Sequence, residues 1–115
     1  MLVSSLDSVN PTQWVMSADA LFQQFAQQWR AERGATSSLT EIFLSPGYQR
    51  IIAMGENAIP LILRQIEREG DNPDHWGWAL HIITGEDPVP PEAIGDVVQI
   101  ARAWLAWAKG RYYAW

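Results

Sequence analysis

Apolar residues recur along this chain at the three- and four-residue spacing of helices. In the stretch SADALFQQFAQQWRAERG they form one stripe on a helical wheel, made of Ala18, Leu21, Phe22, Phe25 and Trp29. Ser17 is a good N-cap residue and Gly34 is a typical stop, so the pattern predicts a helix between these two residues.

Glycine and proline divide the middle of the chain into short segments. The stretch ATSSLT is a linker or the start of a short helix through residues 41–43, and a second helix begins at Pro46 and ends at Gly55. Ser45 is its predicted cap. A third helix, ENAIPLILRQIEREG, has one apolar face, made of Ile59, Ile62, Leu63 and Ile66. Because one glycine separates the second and third helices, we expect a tight antiparallel hairpin.

The stretch DNPDHWGWALHIITG predicts a further helix, with Asp74 as its N-cap and Gly85 as its stop. Its apolar residues cover two adjoining faces of the wheel, made of Trp76, Ala79, Leu80 and Ile83 and of Trp78 and Ile82. A helix that is apolar on most sides is expected to be the buried, central helix of a bundle. The proline-rich EDPVPPE predicts an extended loop or turn, and a last helix runs from Pro91 or Asp96 to Lys109.

Together these patterns predict an all-α fold, a compact bundle of about five helices that includes the hairpin. No segment shows the sustained alternation of a strand. The length of 115 residues suits one domain, and we expect residues 17–115 to form it. Residues 1–16 carry no clear period and are predicted to be an N-terminal arm, with a short helix or disorder as alternatives.

Composition narrows the class of protein. Apolar residues make up 48% of the chain and charged residues 18%, which is typical of a globular domain. The absence of cysteine excludes disulfides and thiolate zinc sites. No basic region followed by an apolar run begins the chain, and no apolar stretch reaches the roughly 18 residues of a membrane span. We therefore expect a cytoplasmic protein without a membrane association.

The charge distribution argues against nucleic-acid binding. The formal net charge is −5, and the eight basic residues are scattered among acids instead of clustering on one segment. A nucleic-acid binder needs clustered positive charge to displace counterions from phosphates. We expect no nucleic-acid partner.

One polar stripe remains on the wheel of the DHWGWALHIITG helix, made of Asp74, Gly77, His81 and Thr84. A glycine inside a helix is unfavourable by about 1 kcal/mol relative to alanine, so we expect another helix or a tryptophan ring to approach closely there. His81 is a candidate base or metal ligand with Asp74 or Glu86 as its partner. The simpler interpretation is that His81 hydrogen-bonds a backbone carbonyl. His75 lies six residues away and faces elsewhere, so the two histidines are not expected to chelate a metal.

Aromatic residues crowd the C-terminal WLAWAKGRYYAW. Tryptophan, tyrosine and arginine are the residues that dominate protein interfaces, and the candidate interface is Trp107, Arg111, Tyr112, Tyr113 and Trp115. Trp104 is expected to fill the core. In the alternative interpretation, Trp107 and the tail pack back over the bundle.

Two resemblances accompany these patterns. The stretch GENAIPLILRQIE, residues 55–67, resembles the second helix of a HEAT-type repeat, with Gly55, Ala58, Pro60 and Ile62 in the matching places. Residues 48–113, with YQRIIAMG, AIPLILRQIE, HWGWALHIITGEDPVP and ARAWLAWAKGRYY, resemble a family of short bacterial proteins. The second resemblance implies a compact helical protein without an established activity.

The sequence favours a small interaction module that binds another protein or itself and has no catalytic activity. No cofactor, metal or small-molecule ligand is indicated, because glycine-rich phosphate loops and serine nucleophile motifs are both missing. One alternative is a small-ligand binder or enzyme that uses Asp74, His81 and Glu86, which requires a pocket beside Gly77. Another is a regulator or antitoxin-like partner of a neighbouring gene product.

Overall fold

The computed structural model of the chain describes residues 17–35, 38–111 and 113–115. These residues form six α-helices and no strand. They are α1 (Ala18–Arg33), α2 (Leu39–Leu44), α3 (Pro46–Ala53), α4 (Ala58–Glu69), α5 (Gly77–Thr84) and α6 (Val97–Gly110). Short 3-10 turns lie between α3 and α4 and before α6. The all-α fold is confirmed; the predicted arm, residues 1–16, lies outside the described residues.

Local caps begin three of the helices. The Ser17 hydroxyl accepts a hydrogen bond from Ala20 N at 3.1 Å, and Ser38 accepts from Glu41 N at 3.4 Å. The Asp96 carboxylate accepts from the backbone N–H groups of residues 98 and 99. The predicted start of α1 is confirmed, and of the two starts considered for α6, Pro91 and Asp96, the structure has Asp96. Ser45 precedes α3 but its hydroxyl donates to Glu41 O instead, so it makes no side-chain cap.

Three tryptophans form the centre of the core, and two of them satisfy their indole N–H groups inside it. Trp29 donates to Ile42 O at 2.9 Å, and Trp76 donates to the Glu69 carboxylate at 2.9 Å. The Trp29 and Trp76 rings meet edge to face at 4.9 Å. Trp104 is also buried, as predicted. Hydrogen bonding of the indole N–H removes the cost of burying a polar group with so large a ring.

Helix α3 packs chiefly against α1, where Gly47 lets the two backbones approach. A Cβ atom at Gly47 would lie 2.6 Å from Trp29 N and 2.7 Å from Phe25 O. Helix α4 is only a minor neighbour of α3, and a 3-10 turn over residues 55–57 separates them. The expected tight hairpin of α3 and α4 joined by one glycine is therefore wrong, because close contact at Gly47 commits α3 to α1.

Helix α5 begins three residues later than the predicted cap. Asp74 lies outside the helix, and Gly77 is its first residue. The hydroxyl of Tyr48 takes over the role of the cap, because it accepts from Ala79 N at 2.8 Å and donates to His75 O at 2.8 Å. The donors in the first turn of a helix have no partner within the helix, so an acceptor from elsewhere can define where the helix begins.

Helix α5 lies at the surface and is not the central helix that its apolar pattern predicts. Only Ala79 and Leu80 are buried within it, whereas Trp78 and Ile82 are 42% and 45% exposed. The second apolar face of the wheel therefore faces outward. Residues 86–90 follow as the predicted extended segment, and residues 91–93 form the 3-10 turn before α6.

Candidate functional site

An apolar cleft of about 440 Å³ opens beside the start of α5. Helix α2 forms one wall, α6 forms another, and the segment between α5 and α6 closes the third side. Its deepest lining includes the buried residues Ile66, Trp76 and Trp104. The volume lies in the range of about 300–1,000 Å³ that is usual for ligand sites.

The mouth of the cleft exposes large apolar side chains. Leu39, Trp78 and Ile94 line it and are exposed, and the ring of Trp78 stacks on that of Phe43 at 5.6 Å. Apolar lining thus continues from the buried floor to the protein surface. Exposed apolar surface of this kind is typical of binding sites.

Four titratable side chains of the described residues line the cleft, two aspartates and two histidines. Asp74, His75, His81 and Asp87 are its titratable lining residues, and none of its described lining residues is lysine or arginine. Since the chain as a whole carries a net charge of −5, an anionic ligand would find no compensating charge in this cleft.

Gly77 lies where α6 comes closest to α5. A Cβ atom there would lie 2.7 Å from Ile100 Cγ2 and 3.2 Å from Trp104 Nε1. The expected close approach of a helix and a tryptophan ring at this glycine is confirmed. Glycine at this position keeps α5 and α6 in contact at the floor of the cleft.

Two polar ring atoms are available in this part of the cleft. The indole N–H of Trp104, on a side chain only 1% exposed, donates to no acceptor among the described residues. His81 Nδ1 lies 2.7 Å from Glu86 O. A carbonyl oxygen only accepts, so Nδ1 carries the hydrogen, and Nε2 of the neutral ring is left as an acceptor.

Asp74 is held in a network of charges at the edge of the cleft. Arg33 binds its carboxylate through both terminal guanidinium nitrogens, at 2.6 and 2.7 Å. Glu69 accepts from Asp74 N and forms an ion pair with Arg30 at 3.3 Å. Burial alone would raise the pKa of Asp74, but hydrogen bonds from Arg33 and His75 N, with the nearby positive charge, outweigh it and lower that pKa.

The predicted stripe is divided by the structure. Asp74, Gly77 and His81 line the cleft, but Thr84 does not. The Thr84 hydroxyl donates to Leu80 O and accepts from Glu86 N, so it closes the end of α5. The Glu86 carboxylate binds Arg111 at 2.7 Å. Both carboxylates suggested as partners of His81 are therefore bound to arginines.

The aromatic tail folds back onto α6. The Tyr113 ring stacks on Trp107 at 5.3 Å, and the Arg111 guanidinium lies 5.1 Å from the Trp107 ring. Trp107 and Trp115 pack against the core as partly buried residues, while Tyr112 is outside the described residues. The tail contacts correspond to the alternative in which these residues cover the bundle.

Sequence reasoning missed the residues that form the walls of the cleft. Leu39 and Phe43 come from α2, and Val89 and Ile94 come from the segment between α5 and α6. No spacing rule links residues this far apart in the chain. The proline-rich EDPVPPE was the only local signal, because it holds this segment extended and away from α5.

Other kinds of site are not found in the part of the chain that the structure describes. No group of three or more histidine, aspartate or glutamate side chains is placed to hold a metal ion there. Likewise, no helix among residues 17–35 and 38–111 combines the length and the apolar character needed to cross a membrane.

No family model matches the chain, and comparisons with the curated proteins and with the solved structures give no match either. The resemblances of residues 48–113 and 55–67 stay predictions. The cleft and its chemistry are the observations from which a function can be inferred.

Proposed function

We propose that this protein is a non-catalytic binding module that holds an apolar segment of a partner protein in the cleft. The observation that carries the proposal is the continuous apolar lining, from Trp104 at the floor to Trp78 and Ile94 at the mouth. Exposed large apolar side chains stabilise a complex when they are buried, by about 1.5–3 kcal/mol for a full isoleucine.

Charge defines the chemistry of the partner segment. Asp87 lines the cleft and no described lysine or arginine does, so a segment that combines apolar and basic residues complements it. An acidic segment would approach a cleft of its own sign on a chain of net charge −5.

Binding is favoured over catalysis because His81 lacks a free carboxylate partner. Asp74 is bound by Arg33 and Glu86 by Arg111. His81 is held by the Glu86 carbonyl and no carboxylate, and no serine, threonine or cysteine lines the described cleft to serve as a side-chain nucleophile. The cleft is favoured over the C-terminal tail because Arg111 and Tyr113 make internal contacts.

A displayed-peptide selection on the full chain tests the proposal. Ile94→Ser alters an exposed residue of the cleft, and Leu44→Ser is its matched control, since the two side chains are 77% and 66% exposed and only Ile94 lines the cleft. We expect enriched peptides with apolar and basic residues. Their affinity should fall about fivefold or more with Ile94→Ser and stay unchanged with Leu44→Ser.

Two results would overturn the proposal. One is the absence of enriched peptides, or peptides that bind Ile94→Ser as well as the original chain. The other is a dimer in light scattering that Ile94→Ser dissociates and Leu44→Ser does not, which would assign the cleft to a second copy of this chain.

A further inference from the structure

The floor of the cleft presents one unpaired donor and one unpaired acceptor on an otherwise apolar surface. The donor is the indole N–H of Trp104, and the acceptor is Nε2 of His81, whose other ring nitrogen donates to Glu86 O. Both residues line the cleft, so an occupant whose polar atoms pair with theirs is favoured over an apolar one that leaves them without a partner.

The two groups lie on the same side of α5. Trp104 Nε1 lies 3.2 Å from the Cβ position of Gly77, and His81 follows Gly77 by four residues on the same helical face. Four residues rise about 6 Å along a helix. Both residues line the same cleft, which places a donor and an acceptor on its wall for one bound hydroxyl group.

We infer that the floor of the cleft is a binding site for a phenol group. The aromatic ring packs against Ile100 and the face of α6, and the hydroxyl accepts from Trp104 Nε1 and donates to His81 Nε2. A carboxylate would lie near Asp87 with no lysine or arginine in the described lining, and Arg33 is already bound to Asp74. An ammonium cannot accept from the indole N–H, and a hydrocarbon leaves both polar atoms unpaired.

The phenol site rests on the proposed function in one respect, which is where the phenol group comes from. A tyrosine of the partner segment supplies this group if the cleft binds protein, and a free phenolic compound supplies it otherwise. The chemistry of the floor is the same in both cases. The two sources are separated by comparing the small-molecule experiment with the peptide selection.

Titration with 4-methylphenol, the side-chain analogue of tyrosine, tests the site. Toluene lacks the hydroxyl, and 4-methylanisole has an oxygen that accepts but cannot donate. We expect 4-methylphenol to bind about tenfold more tightly than toluene, with 4-methylanisole between them. In ¹H–¹⁵N spectra, 4-methylphenol should shift the indole N–H signal of Trp104 downfield, and toluene should not.

Substitutions assign the two hydrogen bonds. Trp104→Phe removes the N–H, and Trp107→Phe is the control on the same helix because Trp107 does not line the cleft. His81→Asn keeps an amide beside Glu86 O but removes the Nε2 acceptor, whereas His81→Gln restores a polar atom at the Nε2 position. We expect Trp104→Phe and His81→Asn to reduce the preference for 4-methylphenol about threefold or more, and Trp107→Phe and His81→Gln to retain most of it.

Equal binding of 4-methylphenol and toluene, or a Trp104 N–H signal that does not respond, overturns the phenol site. The spectra of the unaltered chain provide this answer even where a substitution impairs folding. Binding of 4-methylphenol without any enriched peptide supports the site and rejects the protein partner. Enriched peptides that lack tyrosine, together with equal binding of the two small molecules, support the partner and reject the site.

Discussion

Arg33 of α1 and Asp74, just before α5, form a bidentate ion pair with distances of 2.6 and 2.7 Å. Neither side chain is fully buried, at 19% and 18% exposed, and the pair links two segments 41 residues apart. Bidentate pairs of arginine with carboxylate are stronger than single contacts. This pair holds the wall of the cleft against α1.

The Asp74 carboxylate makes the protein sensitive to acid. The pKa of Asp74 is lowered in the folded state. The stabilisation that its ionised form gives is therefore complete above the unfolded pKa of about 3.9, and it is lost as pH falls through the folded pKa. Asp74→Asn should reduce the free energy of unfolding at pH 7 by about 1–3 kcal/mol. It should also flatten the decline of stability below pH 4. Urea unfolding over this range measures both effects.

The matched control for that experiment is Asp71→Asn, because the Asp71 side chain is fully exposed. Its unfolding free energy and pH dependence should match those of the original chain. An Asp74→Asn protein whose stability follows the same pH curve as the original would show that the ion pair is not the source of the acid sensitivity.

Tyr48→Phe should loosen the start of α5. The substitution leaves His75 O without its donor and Ala79 N without its acceptor, at a cost of about 1–3 kcal/mol in the free energy of unfolding. Hydrogen exchange of the Ala79 amide should accelerate more than exchange within α1. The control is Tyr113→Phe at a surface-exposed tyrosine, and equal effects of the two substitutions would contradict the capping role.

Gly77→Ala should destabilise the protein by about 1–3 kcal/mol, since the added methyl group overlaps Ile100 and crowds Trp104. Gly110→Ala is the matched control, because a Cβ there meets no atom within 4 Å. The double variant with Gly77→Ala and Ile100→Ala should lose less stability than the sum of the losses in the two single variants. Thermal unfolding of the four variants measures this coupling, and strict additivity would argue against the close approach.

Trp29→Phe should lower the free energy of unfolding by about 1–2 kcal/mol more than Trp107→Phe does. The first substitution leaves Ile42 O without the indole N–H that it accepts, whereas the N–H of Trp107 is buried without an acceptor in the described structure. Both changes remove the same ring atoms, from a fully buried side chain at Trp29 and a partly buried one at Trp107. Chemical unfolding of the two variants compares them, and equal losses of stability would show that burial of the ring outweighs the hydrogen bond.

The helices were predictable where the signals that define them are local. The caps at Ser17 and Asp96 contact backbone N–H groups two or three residues later. Residue type and place before an apolar stripe were enough to locate α1, and they left Pro91 and Asp96 as the two possible starts of α6. The close approach at Gly77 was also predicted, from an expected place inside the helix; the structure puts Gly77 at the first position of α5, where Ile100 and Trp104 meet it.

The start of α5, the exposure of Trp78 and the cleft were decided by the tertiary structure. The acceptor for Ala79 N comes from Tyr48, 31 residues away, and the aromatic ring that stacks on Trp78 comes from α2. Helical periodicity shows which residues share a face but not which helix will cover that face. The sequence by itself therefore determined the helices and their apolar faces. Only the packing of α2 and α6 around α5 decided which of those faces is core and which is the open cleft.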